Sequence, residues 1–413
     1  MRPIRVLAVD DSAVMRGVLR SLFQQNAEKP RGGLAAMELC GVVEDGMECL
    51  AAVLRLHPDV VVLDLEMPRM HGLDVLERLR VEEPGLPVIM CSSHTERGAR
   101  ATLDALALGA ADYVMKPAQQ RDFAAAMETL SSQLLPKIAA LAGAGHGMLT
   151  SVRGETTRTV EAARTPCQCS GGATAAGAGS EVEIVVIGVS TGGPSALETM
   201  LPNLEANFPV PVLIVQHMPK LFTGALAERL DRCCALRVRE AHEGAALRPG
   251  TIWLAPGDSH MEVAEGSGAE SAGAESARGR GRGAVVRLHQ RPSFNHCRPS
   301  VDFLFNSAAH MYCSGVLAVV MTGMGSDGLA GSRCVHESGG AVLTQDQATS
   351  AVWGMPGRVF GAGLSREPLP VGELAAEITR RVWAGRRGRA PAPARPRPQP
   401  QPLAIREVTH GLL

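Results

Sequence analysis

Short apolar runs rich in Val, Ile and Leu recur along the chain, and each ends on Asp, Gly, Ser or Pro. Near the N-terminus they are Ile4–Val9, Val60–Leu65, Pro87–Cys91 and Asp112–Met115, with helical patterns such as Ala13–Gln25 and Arg97–Leu108 between them. Further on they are Glu183–Val189, Val210–Gln216, Gly250–Ala255, Val285–His289, Gly315–Thr322 and Ala341–Gln345. Runs this short, without polar alternation, predict strands covered on both faces. Their alternation with helices predicts two doubly wound, mainly parallel α/β domains. In such sheets the chemistry gathers at the C-terminal ends of strands, so the sites are to be sought there.

Three stretches break the pattern. Residues 143–180 are rich in Gly, Ala, Thr and Ser; residues 264–283 end in Arg-Gly-Arg-Gly-Arg-Gly; residues 385–413 contain Pro-Ala-Pro-Ala-Arg-Pro-Arg-Pro-Gln-Pro. Such compositions bury too little apolar surface to offset the entropy of ordering. They predict a linker, a loop insertion and a disordered tail, leaving domains at 1–142 and 181–384. Apolar residues make up 45% of the chain but aromatics only 3%, so the cores must be aliphatic. A net charge of −1 supplies no field for nucleic acid or a membrane surface. No run is long enough to span a bilayer, and Met1–Arg5 leads into a strand without a cleavage site. The ten cysteines lie in apolar contexts or lack partners at zinc spacing, which suits a reduced, cytoplasmic protein.

Four strand ends in the first domain carry Asp10-Asp11, Asp64, Ser92-Ser93 and Lys116-Pro117. Each Asp alone could cap a helix or turn, as Asp11 could before Ala13. Converging together, three carboxylates need a counter-charge. Mg²⁺ is favoured where phosphate joins oxygen ligands, and Lys116 adds a cation for an anionic ligand. The set resembles a response-regulator receiver domain, a flavodoxin-like fold. The resemblance implies phosphorylation of Asp64, with Asp10, Asp11, Asp64 and the Glu66 carbonyl around Mg²⁺. It also implies Ser92 as the switch hydroxyl, Lys116 as a contact to the phosphoryl group, and a cis Lys116–Pro117 bond.

The second domain opens with a strand leading into Gly188-Val-Ser190-Thr191-Gly192-Gly193-Pro194. This matches the G-x-S-x-G pattern of a nucleophile elbow, although Gly-rich turns also bind phosphates or merely connect elements. Gln216-His217-Met218-Pro219 closes the next strand and offers a base. A later glycine turn, Thr322-Gly323-Met324-Gly325-Ser326-Asp327-Gly328, offers Asp327 to orient it and Met324 near an oxyanion.

These stretches, with Pro256-Gly257-Asp258-Ser259-His260, Arg298-Pro299-Ser300-Val301-Asp302 and Trp353-Gly354-Met355-Pro356, resemble the catalytic domain of the chemotaxis protein-glutamate methylesterase family, CheB. The resemblance implies a Ser190–His217–Asp327 triad supported by Thr191 and Met324, acting on methyl-glutamyl side chains of chemoreceptor cytoplasmic helices. It further implies deamidation of receptor glutamines, a CheA-type histidine kinase as phosphodonor, and no cofactor at the esterase site. Cys297 departs from the family, which often has His before Arg-Pro-Ser. Asp258, His260, Arg298 and Asp302 read as loop and packing residues. The competing reading is a receiver fused to a non-catalytic or nucleotide-binding Rossmann-like module. A DNA-binding regulator fits poorly, because no basic recognition helix is present. Two sites on one chain suggest regulation, with the unphosphorylated receiver packed over the Ser190 cleft.

Overall fold

The computed structural model describes residues 2–28, 34–117, 123–144, 181–266, 283–384 and Arg386. The predicted linker, insertion and tail lie outside the described residues except at their margins.

The first unit comprises β1 (Ile4–Val9), α1 (Ala13–Glu28), β2 (Met37–Val43), α2 (Gly46–Leu56), β3 (Val60–Asp64), α3 (Gly72–Glu82), β4 (Val88–Ser92), α4 (Glu96–Ala107), β5 (Asp112–Met115) and α5 (Phe123–Ala144). Its strands pair in parallel in the order β2-β1-β3-β4-β5. Every residue of Val60–Asp64 is buried, as expected for a strand with helices on both faces. The strand order reverses between β1 and β3, so Asp10 and Asp64 flank the crevice where such sheets bind ligands.

The second unit comprises β6 (Ile184–Val189), α6 (Gly193–Met200), β7 (Val212–Gln216), α7 (Lys220–Cys233), β8 (Arg237–Glu240), β9 (Thr251–Leu254), β10 (His260–Glu265), β11 (Ala284–His289), α8 (Val301–Tyr312), β12 (Val316–Val320), α9 (Leu329–Glu337), β13 (Ala341–Thr344), α10 (Met355–Gly361) and α11 (Val371–Ala384). Six strands form a parallel sheet in the order β13-β12-β6-β7-β9-β8. The order reverses at β6 and β12, whose ends carry the Ser190 turn and the glycine turn before Asp327.

Two expectations need correction. The Val285–His289 run is not part of the parallel sheet: β11 pairs antiparallel with β10 in a separate two-stranded sheet. Its outer face stays half-exposed, so polar residues alternate there instead of continuing an apolar run. The cis peptide bond among the described residues is Arg298–Pro299, not Lys116–Pro117.

The two units share one apolar cluster: Leu103 and Tyr113 of the first join Phe222 and Leu226 of the second. Tyr113 stacks on Phe222 with ring centroids 4.7 Å apart. Ser195 Oγ donates to Leu106 O at 2.8 Å, and Arg229 Nη1 pairs with Asp104 Oδ1 at 2.5 Å. Thus α4 and β5 of the first unit rest on α6 and α7, the helices that follow Ser190 and His217.

Candidate active site and phosphorylation pocket

In the first unit, β1, β3 and β5 deliver Asp10, Asp64 and Lys116 to one point. Lys116 Nζ lies 2.9 Å from Asp10 Oδ2 and 2.7 Å from Asp64 Oδ2. Both carboxylates are buried, and these two oxygens share the Lys116 ammonium as their partner. Burial, then repulsion from Asp10, pushes the Asp64 carboxyl up to about 6 against the pull of Lys116. Burial opposes the charge on Lys116, but the two carboxylates outweigh it and raise its pKa. Asp11 is exposed beside the pair, and an oxygen from each of Asp10, Asp11 and Asp64 lies within 4.8 Å of the others. Three carboxylates so close together, sharing one lysine, fit a hard, oxygen-seeking cation such as Mg²⁺. Glu66 is exposed and its N–H donates to Asp64 Oδ1 at 3.3 Å. Ser92 is fully buried, and its Oγ meets Thr102 Oγ1 at 2.7 Å and Gly98 O at 3.3 Å, both on α4. Its hydroxyl is therefore tied to α4, not to Asp64.

In the second unit, the turn after β6 is shaped by glycine. Gly192 has φ of 75°, the left-handed region that side chains avoid. A Cβ on Gly193 would sit 2.0 Å from Gln216 Oε1, so only glycine lets the turn close on that side chain. Gln216 Nε2 in turn donates to Ser190 O at 3.0 Å, and His217 N donates to Val189 O at 3.1 Å. These bonds hold the Ser190 and His217 backbones side by side.

His217 Nε2 meets Asp327 Oδ2 at 2.7 Å. Burial disfavours both charges, but each partner stabilises the other. The imidazole rises to about 10, helped also by Cys297, and the Asp327 carboxyl falls to about 2. Asp327 is cradled further by Ser300 Oγ at 2.8 Å and by the Val301 N–H at 2.7 Å. Those donors stand at the start of α8, where the helix end favours an anion. Val301 and Ser300 were not predicted as site residues, although Ser before a helix is a readable cap signal. Asp302, read as a packing residue, is buried beside Asp327; burial, then that neighbouring charge, raises its pKa well above the ordinary carboxylate range.

The structure does not bring every predicted group into contact. Ser190 Oγ makes no hydrogen bond to His217; the other ring nitrogen, Nδ1, instead hydrogen-bonds Cys297 Sγ at 3.6 Å. Thr191 is buried, its carbonyl accepting from Thr322 Oγ1 at 2.9 Å, while Met324 is 37% exposed at the rim. Among the described residues, the N–H groups of Thr191 and Met324 donate to no protein acceptor.

A receiver sheet with an acid pocket, packed on a parallel sheet with a Ser, His and Asp at its switch point, defines a response regulator with a hydrolase output domain. Accordingly, residues 6–128 match the response regulator receiver domain and residues 185–378 match the family described as CheB methylesterase. A protein-glutamate methylesterase/protein-glutamine glutaminase of Trichodesmium erythraeum is 40% identical over 92% of this chain and 100% of its own length. One of Nocardioides is 43% identical over 95% of this chain and 99% of its own. The crystal structure of the Thermotoga maritima CheB methylesterase catalytic domain is 38% identical, covering 48% of this chain and 98% of its own with a TM-score of 0.43. The chain belongs to the protein-glutamate methylesterase/protein-glutamine glutaminase family, and the reading as a receiver on a nucleotide-binding module gives way. Among the described residues, no helix is long and apolar enough to cross a membrane.

Proposed function

We propose that the chain hydrolyses glutamyl methyl esters on chemoreceptor cytoplasmic helices, deamidates receptor glutamines, and is switched by phosphorylation of Asp64 from a CheA-type histidine kinase in the cytoplasm. The observation that carries the esterase reading is the 2.7 Å His217–Asp327 pair standing next to the Ser190 turn.

Ser190 Oγ attacks the ester carbonyl, and His217 Nδ1, the nitrogen not engaged by Asp327, takes its proton. Asp327 holds the ring and balances the imidazolium. The N–H groups of Thr191 and Met324, which donate to no protein acceptor among the described residues, receive the oxyanion. His217 returns the proton to the departing methanol. It then activates a water that releases glutamate and restores Ser190. A glutamine takes the same route with ammonia as the leaving group, which relies more on His217 as acid.

In the receiver, Asp10, Asp11, Asp64 and the Glu66 carbonyl would hold Mg²⁺, whose charge would ease transfer of a phosphoryl group to a carboxylate. Asp64 attacks phosphorus, and Lys116 contacts the transferred group. Ser92 then turns from Thr102 and Gly98 toward the phosphoryl oxygens, loosening α4. Because α4 rests on α6 and α7, that change reaches the helices that follow Ser190 and His217 and opens the cleft.

Methanol release from methylated receptor, with and without a phosphodonor, tests both halves. Ser190→Ala should abolish release, and Asp64→Ala should lose the response to phosphodonor while keeping basal turnover. Substantial turnover by Ser190→Ala would sink the triad.

A further inference from the structure

The His217 imidazole has two nitrogens with two different neighbours. Nε2 meets Asp327 Oδ2 at 2.7 Å, and Nδ1 meets Cys297 Sγ at 3.6 Å. One potential ligand atom from each of His217, Cys297 and Asp327 lies within 4.8 Å of the other two. Ester hydrolysis by a serine has no use for the thiol, yet it stands at the one nitrogen the reaction needs.

The spacing matches a known coordination geometry. Tetrahedral zinc bonds sulfur at about 2.3 Å and imidazole nitrogen at about 2.0 Å, which sets those two ligand atoms about 3.5 Å apart. Zinc-bound histidines also donate their other N–H to a carboxylate, which fixes the ring. Asp327 already fills that role, held from behind by Ser300 Oγ and the Val301 N–H. Cys297 and His217 are both partly exposed, so a hydrated cation can reach them and keep waters in its remaining positions. Thiolate with imidazole selects borderline and soft cations over Mg²⁺, so this pair would not compete with the receiver's carboxylates.

We propose that Cys297 and His217 form a binding site for a thiophilic divalent cation, zinc foremost, and that its occupation switches the esterase off. On binding, the Cys297 S–H and His217 Nδ1–H bonds break, both protons leave to solvent, and the freed sulfur and Nδ1 lone pairs bond the cation. Nδ1 then has no lone pair to accept the Ser190 proton. The binding claim stands on geometry alone; the inhibition rests on the esterase reading above.

The test uses the full chain stripped with a chelator. Co²⁺ serves as a spectroscopic probe, and Zn²⁺ is titrated during methanol release, scaled to each variant's metal-free rate. The wild type and a Cys233→Ala control should show thiolate-to-cobalt charge-transfer absorption that Cys297→Ala and Cys297→Ser lack. Half-inhibition by Zn²⁺ should need on the order of tenfold more metal in both Cys297 variants, the loss common even for an outer-sphere partner. A chelator should restore the rate. Equal cobalt absorption with and without the Cys297 thiol, or an unchanged zinc response, would overturn the proposal. A metal-free chain that releases no methanol but keeps a Cys297-dependent cobalt band would overturn the esterase reading and leave the metal site standing.

Discussion

Single residues here are held in charge states that water would not favour. Asp64 is the clearest case, its carboxyl pushed from the ordinary 3.8 to about 6 by burial and by Asp10. The folded chain therefore binds this proton more tightly than the unfolded chain. Stability falls as pH rises from about 4 to about 6 and stays reduced above that. The displacement corresponds to about 3 kcal/mol. Asp64→Asn should therefore raise the melting temperature at pH 8 and do little at pH 4, in melts without divalent metal. Added Mg²⁺ should stabilise the wild type at pH 8 and not the variant. His217 has the opposite sign. With its imidazole raised to about 10, its stabilisation is present below the unfolded value of 6.5 and is lost as pH climbs to about 10. The resting base carries a proton, so kcat/KM should rise with pH well past neutrality. Asp327→Asn should move that rise to lower pH and cut the plateau roughly a hundred- to ten-thousand-fold; an unmoved pH profile would show that Asp327 does not set the charge of His217.

At the level of elements, two helices act as supports for chemistry that lies elsewhere. The start of α8 grips Asp327 through Ser300 Oγ and the Val301 N–H. Ser300→Ala leaves a buried carboxylate oxygen short of a donor, which costs about 1–3 kcal/mol. It should lower the melting temperature and slow methanol release, and a variant matching wild type in both would remove α8 from the site. On the other helix, α4, Thr102 Oγ1 lies 2.7 Å from both Ser92 Oγ and Gly98 O and bridges them with its one proton and its lone pairs. Thr102→Val deletes the hydroxyl that holds Ser92 on α4. Phosphodonor should then stimulate the esterase at lower concentration than in wild type. The run of strand ends was readable because a period-two or unbroken apolar run is a local property. The short strands β8 and β10 were not, since Arg237-Val-Arg-Glu240 and His260-Met-Glu262 carry the polar residues of edge and half-exposed strands.

For the molecule as a whole, the coupling surface matters most. Tyr113 stacks on Phe222, Ser195 hydrogen-bonds Leu106 O, and the two units share one apolar cluster. A stacked aromatic pair contributes about 0.5–1.5 kcal/mol beyond its buried area. Tyr113→Ala should loosen this contact, raising methanol release without phosphodonor several-fold and shrinking the further gain on phosphorylation. Unchanged basal release would mean that this face does not restrain the cleft.

Much of this protein is legible in its sequence. Asp10, Asp64 and Lys116, and Ser190, His217 and Asp327, each end or follow an apolar run, and parallel sheets place such ends on one edge for topological reasons. Three things came only from folding the chain. The first is that Ser92 and Ser300 spend their hydroxyls on distant partners. The second is that α4 and β5 rest on α6 and α7. The third is that His217 Nδ1 faces Cys297 and not Ser190. Hydrogen bonds and packing between residues tens of positions apart depend on side-chain direction and helix placement, which no local period encodes.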